Sequence, residues 1–261
     1  MEAADLEGRE RHHRRAPERR LPRRLSEERA DLPAVGPRRC DQPRPALVRR
    51  RDAARHTGRF SNEGIRGLAH DRATSFPAQL GVASSWDRAL VEEIGSVTGR
   101  EARALGYTNV YSPILDLPRD PRWGRTVEAY SEDPFLASEL GRIQVRALQA
   151  ARVVSTPKHF AIYSIPKGGR DGATRTDPQA TLREVEMIYL PPFKAAIQEA
   201  GALGVMSSYN DYDGVTITAS RHFLTDLLRR RWGFKGYVVS DSRAVEFIES
   251  KHQTAFATCC A

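Results

Sequence analysis

Short apolar runs alternate along this chain, from about residue 79 onward, with segments whose apolar residues recur every three or four positions. Residues 80–83 are the first strand-like run. Ser85 reads as the cap of a helix with Leu90, Ile94 and Val97 on one face, ended by Gly106. Residues 110–115 form the next predicted strand and lead into Asp116. Asp133-Pro134 offers a capping side chain and a first-turn proline to a helix through Leu136, Leu140, Ile143 and Leu148. A strand over 153–156 then runs into Pro157-Lys158-His159. Residues 181–190 read as helix, Pro191-Pro192 interrupts it, and 193–200 resume it before Gly201. Residues 205–208 are strand-like and lead into Tyr209-Asn210, 222–230 are helical, and 237–240 form the last clear strand.

Repeated strand–helix units imply parallel strands covered by helices. The expected fold is therefore α/β, a TIM-type (β/α)8 barrel, whose working residues lie at the C-terminal strand ends. Those ends carry Asp116, Lys158-His159, Tyr209 and Asp241. A doubly wound open sheet also alternates in this way, but no Gly-x-Gly-x-x-Gly follows any of these strands.

The net charge of +8 over 261 residues points at first to an acidic partner. Its distribution removes that inference. Residues 1–60 hold 17 Arg and no Lys against 10 Asp or Glu (+7), whereas the rest holds 24 basic and 23 acidic residues (+1). Residues 1–58 are dominated by Arg and Pro, with apolar residues such as Leu21, Leu25, Leu32 and Val35 too sparse to bury a face. Such a stretch cannot offset its ordering entropy and is expected to be disordered. As a basic arm for nucleic acid it lacks the interleaved aromatics that stacking on bases requires. A non-native leader, from an out-of-frame or mis-started translation, is the favoured reading. Cys40, Cys259 and Cys260 make neither a disulfide framework nor a metal-ligand spacing. No apolar run approaches the ~20 residues of a membrane span, and no signal-peptide core is visible near the N-terminus. The compartment stays open.

Five stretches carry chemistry: Asn-Glu-Gly-Ile-Arg-Gly (62–67), Arg-Asp-Pro-Arg-Trp-Gly-Arg (119–125), Ser-Glu-Asp-Pro (131–134), Lys-His-Phe (158–160) and Gly-Tyr-Val-Val-Ser-Asp-Ser (236–242). Together they resemble the N-terminal catalytic domain of glycoside hydrolase family 3, the β-glucosidase and β-xylosidase group, with a domain expected over 59–255 and a tail over 256–261. The resemblance implies a retaining exo-β-glycosidase acting on a β-linked glucoside or xyloside, without metal or organic cofactor and with neither nucleic acid nor membrane as partner. A nearly neutral body suits a neutral sugar. Relative to the family, the barrel is expected to be incomplete: its first strand belongs where the Arg/Pro-rich stretch stands, and the chain stops soon after the strand bearing Asp241.

Asp241 taken alone reads better as a cap for a helix starting near Ala244; by the family's Ser-Asp motif it is the nucleophile. Lys158 and His159 match the pair that binds sugar hydroxyls. A Lys supplies donors, and a neutral His both donates and accepts; for an isolated Lys-His pair, an ion pair with a barrel acid is the better reading. Arg125 matches the sugar-binding arginine, while Arg119, Asp120 and Arg122 brace their loop and Trp123 packs. Glu63 matches an acid that binds sugar hydroxyls, although Arg66 stands where the family has His. Tyr209 matches a tyrosine near the nucleophile, and Asp116 a barrel acid expected to orient Lys158 or Arg125. Arg170 and Asp171 resemble the loop after Lys-His, without contact roles.

A retaining glycosidase also needs a second carboxyl group as acid/base, ~5–5.5 Å from the nucleophile. Many family members supply it as a Glu from a second α/β domain, others as a His on the loop after Lys-His-Phe-Pro-Gly-His-Gly. The run here is Lys-His-Phe-Ala-Ile-Tyr-Ser (158–164), and capping accounts for Glu132 and Asp133. The acid/base is thus expected to be absent from this chain, and a truncated fragment that folds poorly, or at most binds sugar, is the alternative reading.

Overall fold

The computed structural model describes residues 60–164 and 175–254; the Arg/Pro-rich stretch, residues 165–174 with Arg170 and Asp171, and the three cysteines lie outside them. The strands are β1 (Ser61–Glu63), β2 (Asn109–Tyr111), β3 (Val154–Ser155), β4 (Gly204–Ser207), the hairpin of β5 (Asp211–Tyr212) and β6 (Val215–Thr216), and β7 (Tyr237–Ser240). The helices are α1 (Gln79–Ala83), α2 (Arg88–Ala104), α3 (Pro134–Ala150), α4 (Leu182–Glu184), α5 (Pro191–Lys194) and α6 (Ala244–Ser250). Wider π-type turns extend α4 over Val185–Tyr189 and α5 over Ala195–Glu199, and form the helix His222–Arg231.

β1, β2 and β3 pair in parallel, as do β4 and β7. A bridge between Ile114 and Lys158 continues the β2–β3 pairing, and one between Phe160 and Ser207 joins the two sheets into the parallel succession β1-β2-β3-β4-β7. A polar layer shows that this succession is curled. Asn109 on β2 donates to Ser61 Oγ on β1 (3.1 Å) and accepts from Thr156 Oγ1 (2.6 Å) and from Tyr237 Oη on β7 (2.7 Å). Three strand spacings separate β2 from β7, roughly 14 Å in a flat sheet. Side chains that meet across them demand a barrel-like arc. The fold is an α/β barrel of the TIM type, incomplete among the described residues: none of their strands pairs with the outer edge of β1 or β7.

The helices form for local reasons. Asp133 accepts from the N–H groups of Phe135 and Leu136 and Pro134 opens α3, as the sequence predicts. α2 is capped by Asp87, which accepts from Ala89 and Leu90 N–H, rather than by Ser85. Ser85 instead donates to Val82 O and accepts from Asp87 N–H, so it builds the preceding turn. The expected strand over 80–83 is the short helix α1. Its buried Gln79 donates to Ile114 O and accepts from Ile114 N–H, both at 3.1 Å, satisfying with a side-chain amide what a strand would satisfy with its backbone. α2 and α3 approach closely because Gly95 and Gly99 face Ala147 and Ala151, where an added Cβ would come within 2.7 and 2.8 Å of the alanine methyls. The Thr181–Glu184 capping box starts α4, and Pro191 opens α5 after the break at Leu190.

The main core lies between the arc and the helices of 182–231. Phe160 sits at its centre, edge-on to Phe193, Phe223 and Trp232. Phe160 follows His159, so the residue that anchors the core also fixes the rim residue beside it.

Candidate active site

The polar residues at the C-terminal ends of the strands converge. Asp241 follows β7, and its N–H donates to Ser207 O on β4. Its Oδ1 accepts from Ser242 N–H at 2.7 Å. Oδ2 is buried without a hydrogen-bond partner and lies 3.4 Å from His159 Nε2. Burial raises the Asp241 pKa above the usual carboxylate range, while Ser242 N–H, Lys158, Arg125 and the Tyr209 hydroxyl oppose the rise. The side chain does not cap α6. Ala244 N–H is bound by Asp241 backbone O, and α6 begins after Arg243 with no side-chain cap.

His159 is buried at the end of β3. Its Nδ1 lies 2.6 Å from Asp116 Oδ2, its backbone N–H donates to the same oxygen at 3.1 Å, and Nε2 lies 3.1 Å from Arg125 Nη1. Burial, then the positive charges of Arg125 and Lys158, hold the imidazole well below its ordinary pKa, so it is neutral. Asp116 therefore orients His159 rather than the expected Lys158 or Arg125. Burial pushes Asp116 up to about 8, with Arg125 and the His159 N–H acting against it.

Lys158 is 2% exposed and pairs with Glu63 at 2.5 Å, a carboxylate still 46% exposed. The barrel-acid pairing read from the sequence is therefore present, and it is made by the acid expected to bind sugar. Arg125 is held in a loop whose first turn, Pro121–Trp123, is capped by Asp120, with Gly124 at φ +92° turning the chain out of it. Asp120 also chelates Arg122, whereas Trp123 is buried edge-on against Tyr163. Tyr209 packs between Tyr163 and Phe247 and donates to Ser242 O at 2.8 Å.

Two members escaped the sequence reading. Glu128 takes Arg125 Nε at 3.1 Å on each oxygen and Nη2 at 2.7 Å; burial works against the Arg125 charge, but this pair outweighs it and holds the pKa above the usual value. The Arg-to-Glu spacing of three residues was its available signal. Tyr163 stands edge-on to His159 and beneath Arg125, and nothing local in the sequence marks it. A cavity of about 500 Å³ opens on the Glu63 and Glu128 side, reached by Arg66, His70, Gly124 and Val127. Asp241, Lys158 and His159 do not line it.

Chemically, Asp116, Glu63 and Glu128 each accept hydrogen bonds from a basic partner, while Asp241 Oδ2 accepts none. Among the described residues no cluster of three or more His, Cys, Asp and Glu is arranged to hold a metal ion, and no helix is long and apolar enough to cross a membrane.

Residues 60–261 match the profile of the Glycosyl hydrolase family 3 N terminal domain. A β-xylosidase of Formosa agariphila is 39% identical over 192 residues, 70% of this chain and 26% of that protein. A periplasmic β-glucosidase of Salmonella typhimurium is 37% identical over 72% of this chain and 25% of its own length. Among solved structures, a β-glucosidase of Erythrobacter marinus superposes with a TM-score of 0.72 at 38% identity, over 76% of this chain and 27% of the other. An exo-β-xylosidase solved with a xylobiose aziridine probe gives 0.70 at 32% identity, over 75% and 28%. The chain thus spans about a quarter of the length of the relatives it matches.

Proposed function

The chain belongs to glycosyl hydrolase family 3 through its N-terminal domain, and on that premise we propose that it carries the nucleophile half of a retaining β-glucosidase or β-xylosidase site. Asp241 Oδ2 attacks the anomeric carbon, the C1–O bond to the leaving group breaks with its electron pair, and a glycosyl ester forms that water then hydrolyses. Lys158, Glu63 and Arg125 surround the sugar ring, and Tyr209 braces the backbone at Ser242. One observation carries this reading: Asp241 is buried under the charges of Lys158 and Arg125 with no hydrogen bond on Oδ2, while Glu63, Asp116 and Glu128 each hold a hydrogen-bonded basic partner. Relatives solved with xylobiose and laminaribiose ligands support a short β-linked oligosaccharide as partner. The periplasmic relative supports export of the protein.

The acid/base group is the other half. With Asp116, Glu63 and Glu128 committed, it is supplied from outside the described residues. The same observation favours a second reading, sugar binding with little turnover by this chain alone. A 2,4-dinitrophenyl 2-deoxy-2-fluoro-β-glycoside tests the first reading, because its leaving group needs no proton. One adduct per chain, mapped to Asp241 and not to Glu132, is expected; an adduct elsewhere, or none, removes the assignment.

A further inference from the structure

We propose that Glu128 is a positioning residue: it holds Arg125 so that the guanidinium sets the tautomer of His159 and turns a ring lone pair, rather than an N–H, toward the nucleophile's reactive oxygen. The catalytic consequence rests on the reading of Asp241 above; the tautomer does not.

A guanidinium only donates. Glu128 engages Nε and Nη2 of Arg125 in a fork, which turns Nη1 toward His159 Nε2 at 3.1 Å. Nε2 must therefore accept, the ring proton lies on Nδ1, and Nδ1 donates to Asp116 Oδ2 at 2.6 Å. The nitrogen 3.4 Å from Asp241 Oδ2 then presents a lone pair. In the other tautomer an N–H would face Oδ2 across the same 3.4 Å, and its positive end would draw on the electron pair that must attack carbon.

Charge follows the same logic. The side chains of Arg125 and Glu128 are 7% and 12% exposed, so removing the carboxylate leaves a buried cation without its counter-ion. Asp116 and Asp241 both feel the Arg125 charge and are the carboxylates it would turn to. Glu128 holds the arginine near the nucleophile without letting it neutralise the nucleophile. A brace for the Thr126–Glu128 turn alone would require none of this.

The test uses the full chain, ¹⁵N-labelled, with long-range ¹H–¹⁵N spectra of the histidine rings near neutral pH and His159 assigned through His159→Gln. Wild type is expected to show protonated Nδ1 and bare Nε2 at His159, and Glu128→Gln to shift it toward the Nε2–H form. In parallel, the dinitrophenolate burst from the 2-fluoro glycoside should slow about tenfold to a hundredfold in Glu128→Gln, the scale seen when a partner that orients a metal-ligating histidine is lost, with Glu128→Asp between the two. An Nε2–H ring in wild type, or an unchanged ring in a folded Glu128→Gln, overturns the proposal. If Glu128→Gln does not fold, Glu128→Asp and Arg125→Lys must shift the same ring, and an unshifted ring overturns it. Absence of a burst in wild type would count against the nucleophile reading alone, since the ring spectra still decide on Glu128.

Discussion

Tyr237 on β7 donates to Asn109 Oδ1 on β2 at 2.7 Å although β3 and β4 lie between their strands. The phenol also meets Thr156 Oγ1 at 2.5 Å. This junction ties β7 back to β2 across the arc and helps fix how the polar rim at the opposite strand ends is spaced. Tyr237→Phe leaves the amide and hydroxyl short of a partner and is expected to destabilise the chain by about 1–3 kcal/mol. Urea denaturation checks it; an unchanged midpoint would show that strand pairing alone maintains the curvature.

Asp116 makes stability depend on pH in a direction unusual for a carboxylate. Its folded pKa of about 8 exceeds the ordinary 3.8, so the folded chain binds the extra proton between those values. That contribution is complete below 3.8 and is lost as pH rises through 8. His159 acts oppositely. Its folded pKa lies below 6.5, so it adds stability as pH rises toward 6.5 and nothing beyond. Between pH 6.5 and 8 the His159 contribution no longer changes while Asp116 loses its proton, and stability should fall. Denaturation midpoints at the two pH values should converge in Asp116→Asn; an equally steep fall in the variant would place the proton elsewhere.

Glu63 and Lys158 form a pair in which the cation is the more deeply buried partner. Glu63→Gln strands that cation and should cost about 1–2 kcal/mol, less than the ~3–5 of a fully buried pair because Glu63 is half open to water. Adding Lys158→Met to Glu63→Gln should recover part of the loss. Additive losses in the double variant would mean that the two side chains do not couple.

Leaving-group acidity should govern turnover by this chain. If, as proposed, Asp116, Glu63 and Glu128 stay engaged by basic partners, none of them protonates the departing oxygen, a deficit of ~10²–10⁴-fold. Dinitrophenyl β-glycosides are expected to react far faster than phenyl ones when kcat/KM is compared across a series. A shallow dependence would reveal a general acid within the chain.

Much of this architecture is legible in the linear order of residues. Alternating apolar patterns locate the strands at 110, 154, 205 and 237. Asp133-Pro134 announces a helix start, and chemically able residues cluster at strand ends. Such features depend on neighbours a few positions away. The same local logic misplaces the cap at Ser85, because Ser85 and Asp87 are both competent and the geometry of the preceding turn selects between them. It misreads 80–83 because an apolar run of four does not reveal whether a strand partner is within reach.

The partnerships inside the site lie beyond that range. Ninety-five positions separate Lys158 from Glu63, and 34 separate His159 from Arg125. Residue types show that each member is charged or can hydrogen-bond, and the family motifs point to a sugar-cleaving pocket. Whether Asp116 meets His159 or Lys158, and which oxygen of Asp241 stays uncommitted, depends on register and on how tightly the arc closes. Those properties arise when strands distant in the chain settle side by side, so they exist only in the folded molecule.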